Sequence, residues 1–354
     1  MSKYINWVNN KSINFIKVNE LMTSSITSGR FTNYGPNVQL LEHTLRRILK
    51  IQENKSVIVV SNGSTALQVL ASGIEIYHNT TIQWATQAFT FPPTIQGTLK
   101  ETKILDIDLD GGLDLEEITD DIDGIIITNV FGNVVDINKY EVWAKNHNKY
   151  LIFDNAATPY TFYKDINAIN YGIGCGISLH HTKPLGFGEG GAIIVDKKYE
   201  GIIRKLINFG IDLDSSSFCH RLGNNYKMSD IAAVYIIQYL ENFNQIVDTN
   251  HNLYKYLCKQ INDKNITKFK LLPSFHDTVN ILPACFCLLF EKYDNKIIEI
   301  LHNNDIFSKK YYHPLKSCVN TNIIYNKILC IPCNLDMTTN DIDKILDIII
   351  TFDS

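Results

Sequence analysis

The stretch Ser178-Leu179-His180-His181-Thr182-Lys183-Pro184-Leu185-Gly186-Phe187-Gly188-Glu189-Gly190-Gly191 carries a single lysine into a glycine-rich run, and the apolar strand Ala192-Ile193-Ile194-Val195 follows at once. Glycines at 186, 188, 190 and 191 let the backbone turn tightly and approach a ligand closely, which side chains would resist. A lysine held against such a backbone, with Ser178 upstream, has the makings of a Schiff-base lysine beside a phosphate-binding hydroxyl. The same residues also suit an exposed lysine ahead of a glycine-rich hairpin turn. The flanking sequence has to decide between the two.

Upstream, the apolar strand Tyr150-Leu151-Ile152-Phe153 ends in Asp154-Asn155-Ala156-Ala157. A carboxylate at the carboxyl end of a buried strand can pair with a protonated ring nitrogen and hold its charge, as a pyridoxal ring requires; it can equally be a loop-capping aspartate. Further upstream, the strand Ser56-Val57-Ile58-Val59-Val60 runs into Ser61-Asn62-Gly63-Ser64-Thr65, and a helix is expected from Ala66. Free N–H groups at a helix start, with hydroxyls from Ser64 and Thr65, make an anion cradle, or a simple helix cap. The P-loop spacing G-x-x-x-x-G-K is absent there. Phe91, in the turn Phe89 to Thr94, is placed to stack on a flat ring or to join the core.

Strands are also expected at 80–85, 103–108, 124–130 and 193–196, and helices at 37–50, 138–148, 199–209 and 229–243, the last capped by Ser229. Residues 1–35 carry few signals, and 212–217 reads as a polar loop. This alternation describes an α/β fold with a mostly parallel central sheet covered by helices, whose ligands bind beyond the carboxyl ends of the strands. Helical spacing continues from 244 to 265. Strands near 267–272, 283–290 and 327–332 and helices near 295–303 and 339–350 then make a smaller α+β unit. The expected division is a large domain over 1–243 and a small C-terminal domain over 244–354, without repeats or low-complexity linkers.

The chain has 354 residues, 45% apolar and 20% charged, with a net charge of −4. That balance is globular and argues against a nucleic-acid partner, which favours a basic face. No apolar run reaches membrane-spanning length, and the first residues lack the apolar core of a secretory signal, so a cytoplasmic location is expected. The eight cysteines include one C-x-x-C, Cys330 to Cys333, without a second pair at zinc-finger spacing. Cys285 and Cys287 alternate inside an apolar run and read as core packing. Reduced, buried thiols and no metal are the expectation.

In order along the chain, FTNYGPNVQLLE, SNGSTALQ, TQAFTFPPT, FDNAAT, SLHHTKPLGFGEGG, GNNYKMSDI and YYHPL resemble the DegT/DnrJ/StrS family of nucleotide-sugar aminotransferases over nearly the whole length. The resemblance implies the fold-type I architecture of pyridoxal 5′-phosphate (PLP)-dependent transferases. It implies Lys183 as the Schiff-base lysine that moves protons, Asp154 as the partner of the pyridine nitrogen, and Ser64, Thr65 and Ser178 as phosphate contacts. Phe91 then covers the ring, and Asn225 reaches the phosphate from the neighbouring subunit of a homodimer. Tyr34, His180 and His313 are the expected sugar contacts. The chain departs from the family's pattern at Ala157, where glutamine is usual, at Lys227, where arginine is frequent, and at Lys316, where histidine is frequent.

The implied activity is transfer of an amino group from L-glutamate to a nucleotide-linked keto-deoxy sugar. C4 of a 4-keto-6-deoxyhexose is the favoured acceptor, giving a viosamine- or perosamine-type product. A 3-keto sugar acceptor and a non-catalytic, PLP-binding regulatory relative are the alternatives. A family branch that carries out dehydration has histidine in place of the lysine; Lys183 favours transamination.

Overall fold

The computed structural model describes residues 4–212, 214–272 and 278–352; residue 213, inside the loop expected at 212–217, lies outside them. The strands are β1 (Lys55–Val60), β2 (Trp84–Gln87), β3 (Lys103–Leu105), β4 (Gly124–Thr128), β5 (Tyr150–Asp154), β6 (Phe162–Tyr163), β7 (Ile166–Asn167), β8 (Gly174–Ser178), β9 (Gly191–Asp196), β10 (Phe269–Leu271), β11 (Thr278–Val279), β12 (Cys285–Phe290) and β13 (Ile328–Pro332). The helices are α1 (Phe15–Ser28), α2 (Pro36–Ile48), α3 (Gly63–His78), α4 (Ile137–His147), α5 (Glu200–Ile207), α6 (Asp230–Leu240), α7 (Phe243–Asp263), α8 (Lys296–Asn303), α9 (Val319–Lys327) and α10 (Thr339–Thr351).

The central sheet has seven strands in the order β1-β9-β8-β5-β4-β2-β3. The pairs from β8 through to β3 are parallel, and β9 alone runs against both its neighbours. Successive strand residues face opposite sides, and both sides are apolar here. Val57, Val59, Ile125 and Ile127 enter the core cluster that includes Leu41, Leu45 and Ile236. Ile58, Val60, Ile126 and Ile193 enter the cluster on the other face, with Leu67, Leu70 and Ile203. That is why these strands read as continuous apolar runs rather than alternating ones. No helix among the described residues is long and apolar enough to cross a membrane.

Several element bounds differ from those read in the sequence. α3 begins at Gly63, not Ala66, because Asn62 rather than a serine or threonine is its cap: its side chain accepts from Thr65 N at 2.9 Å. β2 begins at Trp84, where parallel pairing with Gly124 starts, so residues 80–83 are not strand. α1 went unread in the sequence, and its apolar residues Phe15, Ile16 and Ile26 are exposed. Only Val18 and Ser25 are buried in it, and its ends are set by an Asn14 cap and by Gly29 at φ 64°, a conformation that favours glycine.

α2 owes its start to a distant residue. The Asp230 carboxylate accepts from Val38 N at 2.7 Å and Asn37 N at 3.1 Å, and satisfies N–H groups that a helix start leaves free. Ser229 caps α6 as expected, accepting from Ala232 N at 3.1 Å. The C-terminal part pairs β10-β12-β13 in one antiparallel sheet over a core including Leu253, Phe286, Leu301, Ile331 and Ile345. Ile5 sits in that same core and bridges to Ile306, while β11 pairs with β6. Chain segments from either side of residue 243 are also joined by Leu282 N to Tyr160 O, Ala284 N to Phe131 O and Leu315 N to Ala88 O.

Candidate active site

The carboxyl ends of β1, β2, β4, β5 and β8 all open on one cleft of about 610 Å³, closed on the far side by Ala284, Cys285, Tyr311 and Tyr312. Its lining includes Asn62, Gly63, Ser64, Phe91, Asn129, Asp154, Ala157, Ser178, His180 and Lys183. Residues far apart in sequence converge because parallel strands all end on the same edge of the sheet.

The cradle is built by close approach of two elements. A Cβ on Gly63 would lie 2.8 Å from Ser178 Cβ, and one on Gly191 would lie 2.4 Å from Asn62 C and O. Neither position has room for a side chain. Within the first turn of α3, Asn62 accepts from Thr65 N through its side chain and from Ala66 N through its carbonyl. The N–H groups of Gly63 and Ser64 remain for a ligand, at the positive end of the helix. Ser178 Oγ accepts from His180 N at 3.2 Å, so its own proton is free to be donated. Thr65 stands behind: its hydroxyl accepts from Ser61 Oγ at 3.3 Å, and it does not line the cleft.

Lys183 is carried on a pinned turn. Leu179 N donates to Gly190 O, His181 N to Gly188 O, Lys183 N to His180 O and Phe187 N to Leu179 O, all within 2.8–3.0 Å. The exposed-hairpin reading is thus half met: the segment does join two antiparallel strands, but the lysine is half-buried and its free surface opens on the cleft. Burial holds its amine below the ordinary lysine range; Asp154 opposes this and Lys309 adds to it. Underneath, Lys11 Nζ donates to Lys183 O at 2.8 Å and to Gly186 O, and lies 4.5 Å from the Tyr239 ring centre.

Asp154 ends β5, is 5% exposed, and accepts from Ala156 N at 3.0 Å. Burial raises its carboxyl, with Ala156 N–H and Lys183 pulling the other way. A cationic ring nitrogen at this carboxylate would relieve the cost of burying its charge. A phosphate-sized set of donors, a buried carboxylate and an amine lining one cleft fit PLP, and these are the residues that would hold it.

Phe91 is not core. It is 52% exposed, lines the cleft, and its ring centre is 6.0 Å from that of Tyr312, which stacks on Phe131 at 5.0 Å. His180 also lines the cleft, with Nδ1 2.8 Å from Thr182 Oγ1 and Nε2 3.5 Å from Glu189.

The other expected contacts lie elsewhere in the chain. Tyr34 donates to Glu42 at 2.9 Å beneath the Arg204 guanidinium, and burial, with Glu42, pushes its hydroxyl up to about 12. His313 is exposed, packing 5.3 Å from Tyr325; the neighbouring Tyr311 and Tyr312 face the cleft in its place. Asn225 is exposed, on a segment bridged to Asn208, and does not line this chain's cleft. Of the departures, Ala157 lines the cleft, whereas Lys227 donates to Asn208 at 2.9 Å and Lys316 to Ile104 O at 3.2 Å.

Trp7, Asn129, Glu189 and Cys285 line the cleft without having been singled out for it in the sequence. Asn129, directly after β4, was findable from its strand-end position; Trp7 had no local signal.

Residues 16–350 match the DegT/DnrJ/EryC1/StrS aminotransferase family. The chain is similar to dTDP-4-amino-4,6-dideoxy-D-glucose transaminase of Shigella dysenteriae, 25% identical over 90% of this chain and 91% of the relative. It is also similar to GDP-perosamine synthase of Vibrio cholerae, 21% identical over 83% and 81%. The solved structure of DesI in the presence of its TDP-sugar product superposes with a TM-score of 0.83 at 20% identity, covering 99% of this chain and 93% of that one, which establishes the shared fold. The chain is an enzyme of the DegT/DnrJ/EryC1/StrS aminotransferase family.

Proposed function

We propose that this protein uses PLP to transfer an amino group from L-glutamate to C4 of a nucleotide-linked 4-keto-6-deoxyhexose in the cytoplasm. The observation that carries the reading is one cleft in which Lys183, Asp154 and the Gly63–Ser64–Ser178 cradle meet. The names of the Shigella dysenteriae and Vibrio cholerae relatives, a 4-amino-4,6-dideoxy sugar transaminase and a perosamine synthase, support C4.

When bound, PLP supplies an electron sink for the electrons of a cleaved C–H bond. The chain supplies the rest. Gly63 and Ser64 N–H groups, with the Ser64 and Ser178 hydroxyls, bind the phosphate and set the position of the ring. Asp154 holds a proton on the ring nitrogen by its charge. Lys183 Nζ, kept below its usual range by burial, would move the proton at the donor and acceptor carbons. Phe91 covers the ring, and Tyr312 and His180 border the space left for the sugar. The exposed Asn225 segment suits a second copy of the chain, whose cleft it would complete. The chain divides into units over 1–243 and 244–354, with the cleft between them.

The test is turnover by PLP-loaded protein given L-glutamate and a dTDP-linked 4-keto-6-deoxyhexose. The expected result is 2-oxoglutarate and a 4-amino sugar in equal amounts, abolished by Lys183→Ala. Catalytic release of 2-oxoglutarate in the absence of keto sugar, no 4-amino sugar in its presence, or full activity in Lys183→Ala, would overturn the reading.

A further inference from the structure

The sequence offers Cys330-Ile-Pro-Cys333 as its only C-x-x-C, yet the fold groups the thiols differently. Cys285 and Cys287 are two apart on β12 and so point to the same face. Cys330 on β13 stands directly opposite Cys287 in the antiparallel register. Cys287 Sγ is 3.6 Å from Cys285 Sγ and 3.5 Å from Cys330 Sγ, and all three sulfurs lie within 4.8 Å of one another. All three residues are buried. Cys333, also buried, is outside the group and instead approaches Asn250 O at 3.9 Å.

We propose that Cys285, Cys287 and Cys330 form a three-thiolate site for one soft, thiophilic metal ion of d¹⁰ type. Sulfurs in a plane about 2.3 Å from a central ion are about 4 Å apart. The two shorter separations, 3.5 and 3.6 Å, lie about half an ångström below that value and the third is no more than 4.8 Å, so an ion needs only sub-ångström shifts of side chains already converging. Three sulfurs without nitrogen or oxygen donors select soft ions over magnesium or calcium.

The electrostatics suit it. Metal binding needs thiolates, and the Lys309 cation lies near Cys330. Lys309 is tied to Cys330 by backbone bonds in both directions, at 2.8 and 3.1 Å. Binding a divalent ion releases the thiol protons and leaves one net negative charge. Cys285 also lines the active cleft, which gives the ion its way in.

Cadmium(II) is the probe, titrated into full-length protein reduced with a phosphine, following the ultraviolet thiolate-to-metal charge-transfer band. The expected result is one tight equivalent per chain, with an affinity that rises with pH. Cys287→Ala and Cys330→Ala should each weaken it at least tenfold, while Cys333→Ala and the exposed Cys219→Ala leave it unchanged. Far-ultraviolet circular dichroism of each variant verifies that it is folded, and Cys287→Val, which refills the space, should lose the ion as Cys287→Ala does. No stoichiometric band in the wild type, or a band that survives in folded Cys287→Val and Cys330→Ala, would overturn the site and leave the three thiols as core packing.

Discussion

Lys11→Met tests how the reactive lysine is held. Lys11 is 8% exposed, and its ammonium reaches the carbonyls of Lys183 and Gly186 across 172 and 175 residues of chain. Methionine keeps most of the apolar stem but leaves the Gly186 carbonyl without a donor, at roughly 1–3 kcal/mol. It also takes one of two donors from Lys183 O, which still accepts from Gly186 N at 3.1 Å, at about 0.5–1.5 kcal/mol. Losing the contact over Tyr239 adds about 0.5 kcal/mol or more. A destabilisation of roughly 2–5 kcal/mol is therefore expected, read as a lower urea midpoint at unchanged slope.

The pH dependence carries its own sign. Burial lowers Lys11 from 10.5 to about 7, so between those values the unfolded chain holds a proton that the folded chain lacks. Stability from this group is flat below about pH 7 and rises with pH above it, by at most about 1.4 kcal/mol per pH unit. The amine retains protons for both carbonyls after losing its charge. The stability gap between wild type and Lys11→Met should thus widen from pH 7 to pH 9. A midpoint shift worth less than about 0.5 kcal/mol, or a gap that narrows as pH rises, would refute the reasoning.

Gly191→Ala forces a methyl to within 2.4 Å of the Asn62 backbone. A cost of about 1–3 kcal/mol in stability is expected, with PLP affinity, measured by equilibrium dialysis, falling as the α3 start is pushed out of place. Phe91→Ala separates ring cover from core packing: the ring is 52% exposed, so thermal unfolding should move little, about 0.5 kcal/mol or less, while PLP dissociation quickens severalfold.

What was legible in the sequence was what is local. The cradle and Asp154 each end an apolar strand, and strand ends in an α/β sheet share an edge, so their meeting followed from the pattern. The short glycine-rich strand Gly174–Ser178 that brings Ser178 to the same edge was not read. The lysine turn is likewise made within residues 178–191 by its own backbone bonds. Lys11 and Trp7 were not legible, because what places them is packing against residues far along the chain. Tyr34 and His313 were expected as sugar contacts through the resemblance, yet ordinary chemistry holds them elsewhere: a buried hydroxyl takes the Glu42 carboxylate, and an exposed imidazole packs on Tyr325. The three-thiol group needed the β12–β13 register, which no spacing in the sequence specifies.

The reversed strand β9 has one more consequence. Ser178 and Gly191 are partners across the β8–β9 ladder, so the excursion that carries Lys183 returns to its starting point and is closed at the neck by the sheet. Closing a loop costs chain entropy, and here that cost is met by strand pairing which the fold needs in any case. The residue at 183 contributes little to that closure. A sheet built this way can hold the same loop around a different side chain, so the reaction can change in the course of evolution while folding stays as it was.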